Sequence, residues 1–153
     1  MPIKAIIIDD ERLARNELKK LLEQYPDIQI IDEASNVDEA VEKIDLSRPD
    51  LIFLDIQMPG KTGFDLLAEI EKSPRVIFTT AYDEFALKAF EVNALDYLLK
   101  PIDPKRLADA IQKLQSEIAL EQASLLGVSR GPLTEVDQVF VKDGERCWFV
   151  KLA

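Results

Sequence analysis

The fold is decided by residues 51–60, which read LIFLDIQMPG. The first four of these residues are apolar without interruption, a pattern typical of a strand buried on both faces of a parallel sheet. Asp55 ends this strand, and Pro59-Gly60 breaks the chain soon after it. The carboxyl edge of such a sheet is where open α/β folds bind their ligands. Asp55 alone could therefore be a metal ligand, a nucleophile or a helix cap.

The same strand pattern recurs before and after this segment, each time followed by apolar residues at helical spacing. The predicted strands are Ile3 to Asp9, Ile28 to Asp32, Leu51 to Asp55, Val76 to Thr80 and Tyr97 to Leu99. Asn36 is expected to cap the second helix, and Pro104 begins the fifth. Five βα repeats predict an α/β fold with a parallel sheet and helices on both faces. We expect a flavodoxin-like (βα)5 three-layer sandwich with strand order 2-1-3-4-5.

Composition and charge narrow the possible functions. A chain of 153 residues supports one full domain, and no apolar run is long enough for a membrane span. The formal net charge of −10 argues against direct binding of nucleic acid. The absence of histidine removes Ser-His and Cys-His triads and His-based zinc sites, and the single Cys147 excludes an internal disulfide. We therefore expect a cytoplasmic protein without a membrane partner.

The end of the chain departs from the βα repeats. Residues 123–137 contain Gly, Pro and Ser and are predicted to be a linker. Asp143-Gly144 between two β-rich runs is a strong hairpin signal, and a lone hairpin is marginally stable in water. We therefore predict a domain at residues 1–122, a linker at 123–137, and at 138–153 the opening hairpin of a further domain that this sequence does not complete.

Polar residues also end the other strands at the same edge of the predicted sheet. Asp9 and Asp10 end the first strand, Thr80 ends the fourth and Lys100 ends the fifth. Three clustered carboxylates repel one another, and Mg²⁺, which takes carboxylate and water oxygens, would relieve that repulsion. A metal ion, an ammonium and a hydroxyl together favour a bound phosphoryl group. Asp55, at the centre, would supply the attacking oxygen.

Four segments of the sequence resemble the receiver domains of bacterial two-component response regulators. They are residues 7–10 (IIDD), 54–60 (LDIQMPG), 79–81 (TTA) and 96–101 (DYLLKP). Each is weak alone, but all four occur in the family's order at the ends of successive predicted strands. The resemblance covers the predicted domain at residues 1–122. It implies a phosphorylation-operated switch that receives its phosphoryl group from a sensor histidine kinase.

The resemblance also implies which residues bind the metal and the phosphoryl group. Asp55 is the phosphoacceptor. Asp10, Asp55 and the backbone carbonyl of Gln57 are the Mg²⁺ ligands, and Asp9 contributes mainly through metal-bound water. The domain would not be an enzyme with a separate substrate, although it would assist its own phosphoryl transfer and the slow hydrolysis of its aspartyl phosphate.

Three further positions carry the response to phosphorylation in the resembling family. Lys100 pairs with the phosphoryl oxygens, Thr80 donates a hydrogen bond to one of them, and Tyr97 turns inward behind Thr80. Gln57 and Tyr82 flank the route of the hydrolytic water and are expected to tune the lifetime of the phosphate.

A narrower resemblance is to receivers that precede a LytTR DNA-binding domain. It rests on residues 78–90 (FTTAYDEFALKAF) and on the tail at 139–144 (VFVKDG). It implies DNA binding and transcriptional control by a longer parent protein, not by this chain. The switched surface would consist of the fourth helix, fifth strand and fifth helix and would control homodimerisation. Candidate charges for pairing there are Lys88, Glu91, Asp96, Arg106 and Asp109.

Simpler interpretations treat these residues separately. Asp9, Asp10 and Asp55 could cap the helices that follow them. Residues 60–62 (GKT) suggest a P-loop, but Asp55 stands where its earlier glycine is needed. No Gly-x-Gly-x-x-Gly follows the first strand, so dinucleotide binding is unsupported, and a haloacid-dehalogenase-like phosphatase would need an acid in place of Gln57. The remaining competitor is a receiver-shaped interaction module that works without phosphorylation.

Overall fold

A computed structural model of the chain describes residues 2–70 and 73–125. Within these residues, strands and helices alternate as predicted. The strands are β1 (Ile3–Ile8), β2 (Ile28–Ala34), β3 (Leu51–Asp55), β4 (Arg75–Thr80) and β5 (Asp96–Leu99). The helices are α1 (Arg12–Leu22), α2 (Val37–Ser47), α3 (Gly63–Glu69), α4 (Ala86–Glu91) and α5 (Pro104–Leu125), and a 3-10 turn at Asp83–Phe85 precedes α4.

The five strands form a parallel sheet in the order β2-β1-β3-β4-β5, which confirms the predicted flavodoxin-like α/β fold. Residue pairing places Ile8 beside Leu54 and Thr80 beside Leu99. The carboxyl ends of β1, β3, β4 and β5 therefore lie next to one another at one edge of the sheet. The strand order changes direction between β1 and β3, where folds of this kind bind ligands.

The central strands β1, β3 and β4 are largely buried on both faces of the sheet, and successive side chains of each strand point to opposite faces. One face forms a core with the inward residues of α2, α3 and α4: Ile6, Ile8, Ile52, Leu54, Phe78, Ala40, Ile44, Leu66 and Ala89. The intervening strand residues and the apolar residues of α1 and α5 are buried outside that core: Ile7, Phe53, Ile77, Leu18, Leu22, Leu107 and Ile111. The uninterrupted apolar strands are thus buried as their sequences predict.

Local signals in the sequence explain some helix features better than others. Asn36 caps α2 as predicted, because its side-chain oxygen accepts the backbone N–H of Glu39 at 2.8 Å. Leu13 belongs to the apolar pattern of α1 but is exposed. It lies about 140° around the helix axis from the buried Leu18, since each residue advances a helix by about 100°. An apolar residue in a helical pattern therefore does not by itself identify the buried face.

The chain divides into two compact units, Met1–Lys113 and Leu114–Ala153. The first contains the described strands and the helices up to the first part of α5. Of the second, the structure describes helical residues 114–125. Residues 123–125, with which the predicted linker begins, thus belong to α5. The rest of that linker and the predicted hairpin at 138–153 lie outside the described residues.

Candidate functional site

An acidic cluster lies where β1 and β3 end. Asp9 follows β1 directly and Asp55 is the last residue of β3, so the two neighbouring strands bring their carboxylates to one place. Both residues are buried, whereas Asp10 is exposed. One carboxylate oxygen of each residue lies within 4.8 Å of the others. The three acids predicted to act together are therefore clustered at the predicted edge of the sheet.

Lys100 approaches this cluster from the end of β5. Its Nζ donates a hydrogen bond to Oδ2 of Asp9 at 2.7 Å and lies 3.5 Å from Oδ2 of Asp55. Burial lowers the pKa of the ammonium, but the hydrogen bond to Asp9 and the charges of Asp55 and Asp9 raise it by more. The net pKa lies above its ordinary value, so Lys100 is a fixed positive charge at neutral pH.

The ionised form of Asp55 is costly in this environment. Burial raises the pKa of its carboxyl group, and repulsion from Asp9 adds to the effect. The charge of Lys100 and the backbone N–H of the exposed Gln57, which is 3.3 Å from Oδ1, act in the opposite direction. The resulting pKa is about 7. A cation that enters the cluster would therefore stabilise the carboxylate.

The three acids differ in the partners that they already have. Oδ1 of Asp9 accepts the backbone N–H of Glu11 at 2.9 Å and Oδ2 accepts Lys100, so both oxygens are engaged. The side chain of Asp10 forms no hydrogen bond or ion pair with the described residues. Two ligands of one Mg²⁺ lie at most about 4.2 Å apart, close to the spacing of this cluster. Asp10 therefore fits direct coordination of a hard cation better than Asp9 does. Asp55 also fits better than Asp9, because its oxygens have only the longer contacts with the Gln57 N–H at 3.3 Å and the Lys100 ammonium at 3.5 Å.

Thr80, Tyr82 and Tyr97 form a second group beside the acids. Thr80 ends β4 next to Thr79, which pairs with Asp55, and its side chain is buried. Its Oγ1 accepts the backbone N–H of Tyr82 at 3.2 Å. The hydroxyl of the half-buried Tyr97 donates a hydrogen bond to the backbone carbonyl of Tyr82. Burial raises the pKa of the Tyr97 hydroxyl, which therefore stays protonated and able to donate at neutral pH.

The helix-capping interpretation of Asp55 is wrong. The next helix, α3, begins only at Gly63 and is capped by Thr62. The Thr62 hydroxyl accepts the backbone N–H of Asp65, and the Asp65 carboxylate accepts the N–H of Thr62, which together form a capping box. Helix α1, whose N-cap residue is Glu11, has no side-chain cap. None of the three acids is therefore the side-chain cap of α1 or α3.

Gly63 is a residue of the site that the sequence patterns did not reveal. A Cβ atom there would lie 2.6 Å from the backbone oxygen of Asp55 and 3.0 Å from the side chain of Leu54. Contacts this short are repulsive, so only glycine lets α3 begin directly against the Asp55 peptide. The available signal was a glycine at the first position of a helix, where most other residues are more favourable.

The fold and the acidic cluster define a class of protein, namely flavodoxin-like α/β domains with an acidic pocket and a lysine at the carboxyl edge of the sheet. Within this class, residues 5–112 match the response regulator receiver domain family, and the chain belongs to that family. It is thus a signalling domain of a response regulator, and its acidic pocket is consistent with a phosphoacceptor role.

Curated relatives point the same way. The chain is 43% identical over 150 residues to an uncharacterized response regulatory protein of Vibrio cholerae, covering 90% of this chain and 63% of that protein. It is 46% identical over 118 residues to the sensory transduction protein LytT of Bacillus cereus, covering 75% and 48%. The transcriptional regulatory protein BtsR of Escherichia coli is 45% identical over 126 residues, covering 81% and 53%. The chain therefore spans less than two thirds of the length of each of these relatives.

Solved structures share the fold. The REC domain of AraT, a response regulator from Geobacillus stearothermophilus, superposes with a TM-score of 0.72 at 33% identity, covering 80% of this chain and 99% of that one. The response regulatory domain of mrkE from Klebsiella pneumoniae gives a TM-score of 0.69 at 34% identity, covering 78% and 99%.

None of the described helices combines the length and the apolar character that a membrane span requires.

Proposed function

We propose that this domain is a phosphoryl-accepting switch and that Asp55 receives the phosphoryl group from a histidine of a sensor kinase. An oxygen of the Asp55 carboxylate forms a bond to phosphorus as the phosphorus–nitrogen bond of the phosphohistidine breaks. The electron pair of that bond remains on the imidazole nitrogen, which then takes up a proton. The observation that carries this proposal is the position of Asp55, buried at the strand end with the Lys100 ammonium 3.5 Å from its Oδ2.

The same proposal assigns the acidic cluster to Mg²⁺. Asp10, Asp55 and the backbone carbonyl of Gln57 would hold the ion directly, and Asp9 would act through water. Asp10 supports this assignment because its carboxylate has no partner among the described residues, whereas both oxygens of Asp9 are engaged. When bound, Mg²⁺ would neutralise negative charge on the phosphoryl oxygens. Lys100 would neutralise further charge on the same group.

Thr80 and Tyr97 would report the phosphorylation. The Thr80 oxygen accepts a hydrogen bond from Tyr82, so its own hydroxyl proton remains available for a phosphoryl oxygen. A movement of Thr80 toward that oxygen would break its bond to the Tyr82 backbone, to which Tyr97 is also bonded. Tyr82 and Gln57, both exposed beside the pocket, would control access of the water that hydrolyses the aspartyl phosphate.

The surface of α4, β5 and α5 would carry the output, by dimerisation. Of the charges predicted to pair between protomers, Asp96 is engaged within its own: its carboxylate lies 3.0 Å from Arg106 and 3.3 Å from Lys113 and is only 7% exposed. Leu87 and Phe90 of α4, in contrast, are 71% and 70% exposed. We therefore assign the principal contact to these apolar residues and not to the charges.

The output of the longer parent protein would be transcriptional. A relative is named a transcriptional regulatory protein, and the sequence resembles receivers that precede a LytTR domain. DNA binding would then belong to residues beyond the receiver domain, in the cytoplasm, because the net charge of −10 is unfavourable for contact with phosphates.

Incubation with Mg²⁺ and a small acyl phosphate tests the proposal through the intact mass of the protein. The wild type should gain one phosphoryl group, and chelation of Mg²⁺ should prevent the gain. Asp55→Asn should abolish the gain, whereas Asp50→Asn, the same chemical change at the other end of β3, should retain it. An unchanged mass, together with no Mg²⁺-dependent response to beryllofluoride, would instead favour an interaction module that works without phosphorylation.

A further inference from the structure

Arg15 links the acidic edge to the second strand. It lies in the first turn of α1 and is only 16% exposed. Its Nη1 donates a hydrogen bond to the backbone carbonyl of Asp9 at 2.6 Å, and its Nε donates to Oε1 of Glu33 at 2.9 Å. One guanidinium therefore binds the Asp9 carbonyl and the Glu33 carboxylate of β2 at the same time. Arginine can do this because its N–H donors point in fixed, different directions.

Glu33 is itself firmly held. It pairs with Ile7 of β1 in the sheet, and its Oε2 accepts Lys19 Nζ at 2.6 Å. The hydrogen bond from Lys19 lowers the pKa of Glu33 and, against the effect of burial, so does the bond from Arg15. Glu33 therefore stays ionised and anchors the Arg15 guanidinium to the sheet.

The carbonyl that Arg15 binds belongs to the peptide between Asp9 and Asp10. Because a peptide is planar, the direction of this carbonyl fixes the direction in which the Asp10 backbone starts. The backbone N–H of Asp9 is held by Ala34 at 3.0 Å, while the Asp10 side chain has no partner among the described residues. The position of the Asp10 carboxylate is therefore set through its backbone.

We propose that Arg15 is a positioning residue for the divalent-cation site: it fixes the Asp9–Asp10 peptide and so orients the Asp10 carboxylate toward that of Asp55. This inference rests on the proposed function, in which Asp10 and Asp55 hold Mg²⁺. Arg15 would act through the Asp9 carbonyl and Glu33, without contact to the ion or the phosphoryl group.

Charge alone predicts the opposite effect of losing Arg15. Removal of a positive charge near a cation site reduces repulsion and should tighten Mg²⁺ binding. Loss of a positioning contact should weaken it, by roughly tenfold, as is common for groups that orient metal ligands. The sign of the change in affinity thus separates the two effects.

The test is the Mg²⁺ dissociation constant of the full chain, measured by calorimetry. Arg15→Ala should raise this constant by roughly tenfold. Lys19→Ala is the matched control, because it removes a positive charge from the same carboxylate without touching the Asp9 carbonyl, and it should leave the constant unchanged or slightly lower. Circular dichroism and thermal unfolding establish that each variant is folded.

A second variant keeps the test independent of the Arg15 truncation itself. Glu33→Gln should weaken Mg²⁺ binding in the wild-type background but add nothing in the Arg15→Ala background, because it acts through Arg15. In phosphorylation by an acyl phosphate, Arg15→Ala should raise the Mg²⁺ concentration for half-maximal rate and leave the rate at saturating Mg²⁺ near wild type.

The proposal is overturned if the wild type binds Mg²⁺ and Arg15→Ala binds it equally or more tightly. It is also overturned if Lys19→Ala weakens binding as much as Arg15→Ala does. A wild type that neither binds Mg²⁺ nor accepts a phosphoryl group overturns the proposed function and, with it, this inference. The two earlier outcomes overturn this inference alone, because the wild type then still binds Mg²⁺.

Discussion

At the scale of single residues, the ionised form of Asp55 is the unfavourable charge of the site. Asp55 is buried beside another acid, and the nearby ammonium of Lys100 offsets only part of that cost, since the pKa of Asp55 remains about 7. A buried carboxyl group whose pKa is raised in this way is a candidate functional residue.

Asp55→Asn should stabilise the metal-free protein in a pH-dependent way. Because the folded-state pKa is raised from 3.8 to about 7, protonated Asp55 contributes stability at low pH that is lost as the pH rises through about 7. The substitution removes this loss, so the gain should grow from nearly zero below about pH 4 to about 2–4 kcal/mol at pH 8. Urea unfolding in a chelator at several pH values measures it. A gain that does not vary with pH would contradict the assignment, and Asp50→Asn provides the control.

Gly63→Ala should disturb Asp55 directly. The new Cβ meets the Asp55 backbone oxygen at 2.6 Å, and such overpacking costs about 1–3 kcal/mol of unfolding free energy. The rate of phosphorylation by an acyl phosphate should fall as well. Gly60→Ala is the matched control: at a φ of +83° and with open space around it, it should cost about 1–2 kcal/mol, the penalty for an L-residue at positive φ, and leave the rate unchanged. Equal rates for the two variants would show that Gly63 has no influence on the site.

At the scale of elements, short local interactions decide where helices start and how strands are tied to them. The capping box of Thr62 and Asp65 fixes the start of α3 at Gly63. Residues 56–61 therefore form a loop beside Asp55 and not the first turn of the helix. At the opposite end of the sheet, the carboxylate of Asp96 at the start of β5 forms ion pairs with Arg106 and Lys113 of α5. Asp96 and Arg106, two of the charges predicted to pair between protomers, thus have partners within one protomer.

Phe90→Ser and Arg106→Ala should therefore have different consequences. Phe90→Ser removes an exposed apolar contact and should weaken the dimerisation induced by beryllofluoride, with little effect on stability. Arg106→Ala removes one partner of a largely buried carboxylate and should lower the unfolding free energy by about 1 kcal/mol, with dimerisation retained. Sedimentation velocity and urea unfolding measure the two effects. A dimer lost only in the Arg106 variant would restore the charge-pairing interpretation.

Sequence patterns predicted the elements better than their contacts. Uninterrupted apolar runs identified the buried strands, because a strand that is buried on both faces of a sheet carries few polar residues. Arg15 could not be predicted as a group that binds the Asp9 carbonyl, since this contact depends on how α1 packs against β2. Leu13, similarly, belongs to the apolar helical pattern of α1 but is exposed. The pattern could not predict this exposure, because it does not show which of its residues lie at the edge of the buried face.

At the scale of the whole molecule, the sheet order converts distant sequence motifs into one site. The clustering of Asp9, Asp10, Asp55 and Lys100 could be predicted because parallel strands place their carboxyl ends at one edge. The resemblance implied different roles for the three acids, but the hydrogen bonds from Glu11 and Lys100 that engage both oxygens of Asp9 could not be predicted from the sequence.

Mg²⁺ should stabilise the folded protein as a ligand that binds only the native state. The expected gain in unfolding free energy is about 2.7 kcal/mol at a concentration a hundredfold above the dissociation constant. Thermal unfolding with Mg²⁺ and with a chelator measures the shift, which should be larger at pH 8 than at pH 6 because Asp55 is then ionised. The shift should be much smaller for Asp10→Asn, and an equal shift for that variant would exclude Asp10 as a ligand.

The ion pair between Asp9 and Lys100 joins residues 91 positions apart. The Asp9 carboxylate and the Lys100 ammonium do not meet until β1 and β5 occupy the same sheet, so the complete pocket forms only after β5 has been added. A chain emerging from the ribosome, or one opened by partial denaturation, lacks the pocket even though every residue of it has been synthesised. Formation of the acidic pocket thus requires that the first and the last strand of the sheet are both in place, and a copy in which β5 has not docked lacks the Lys100 ammonium beside the acids.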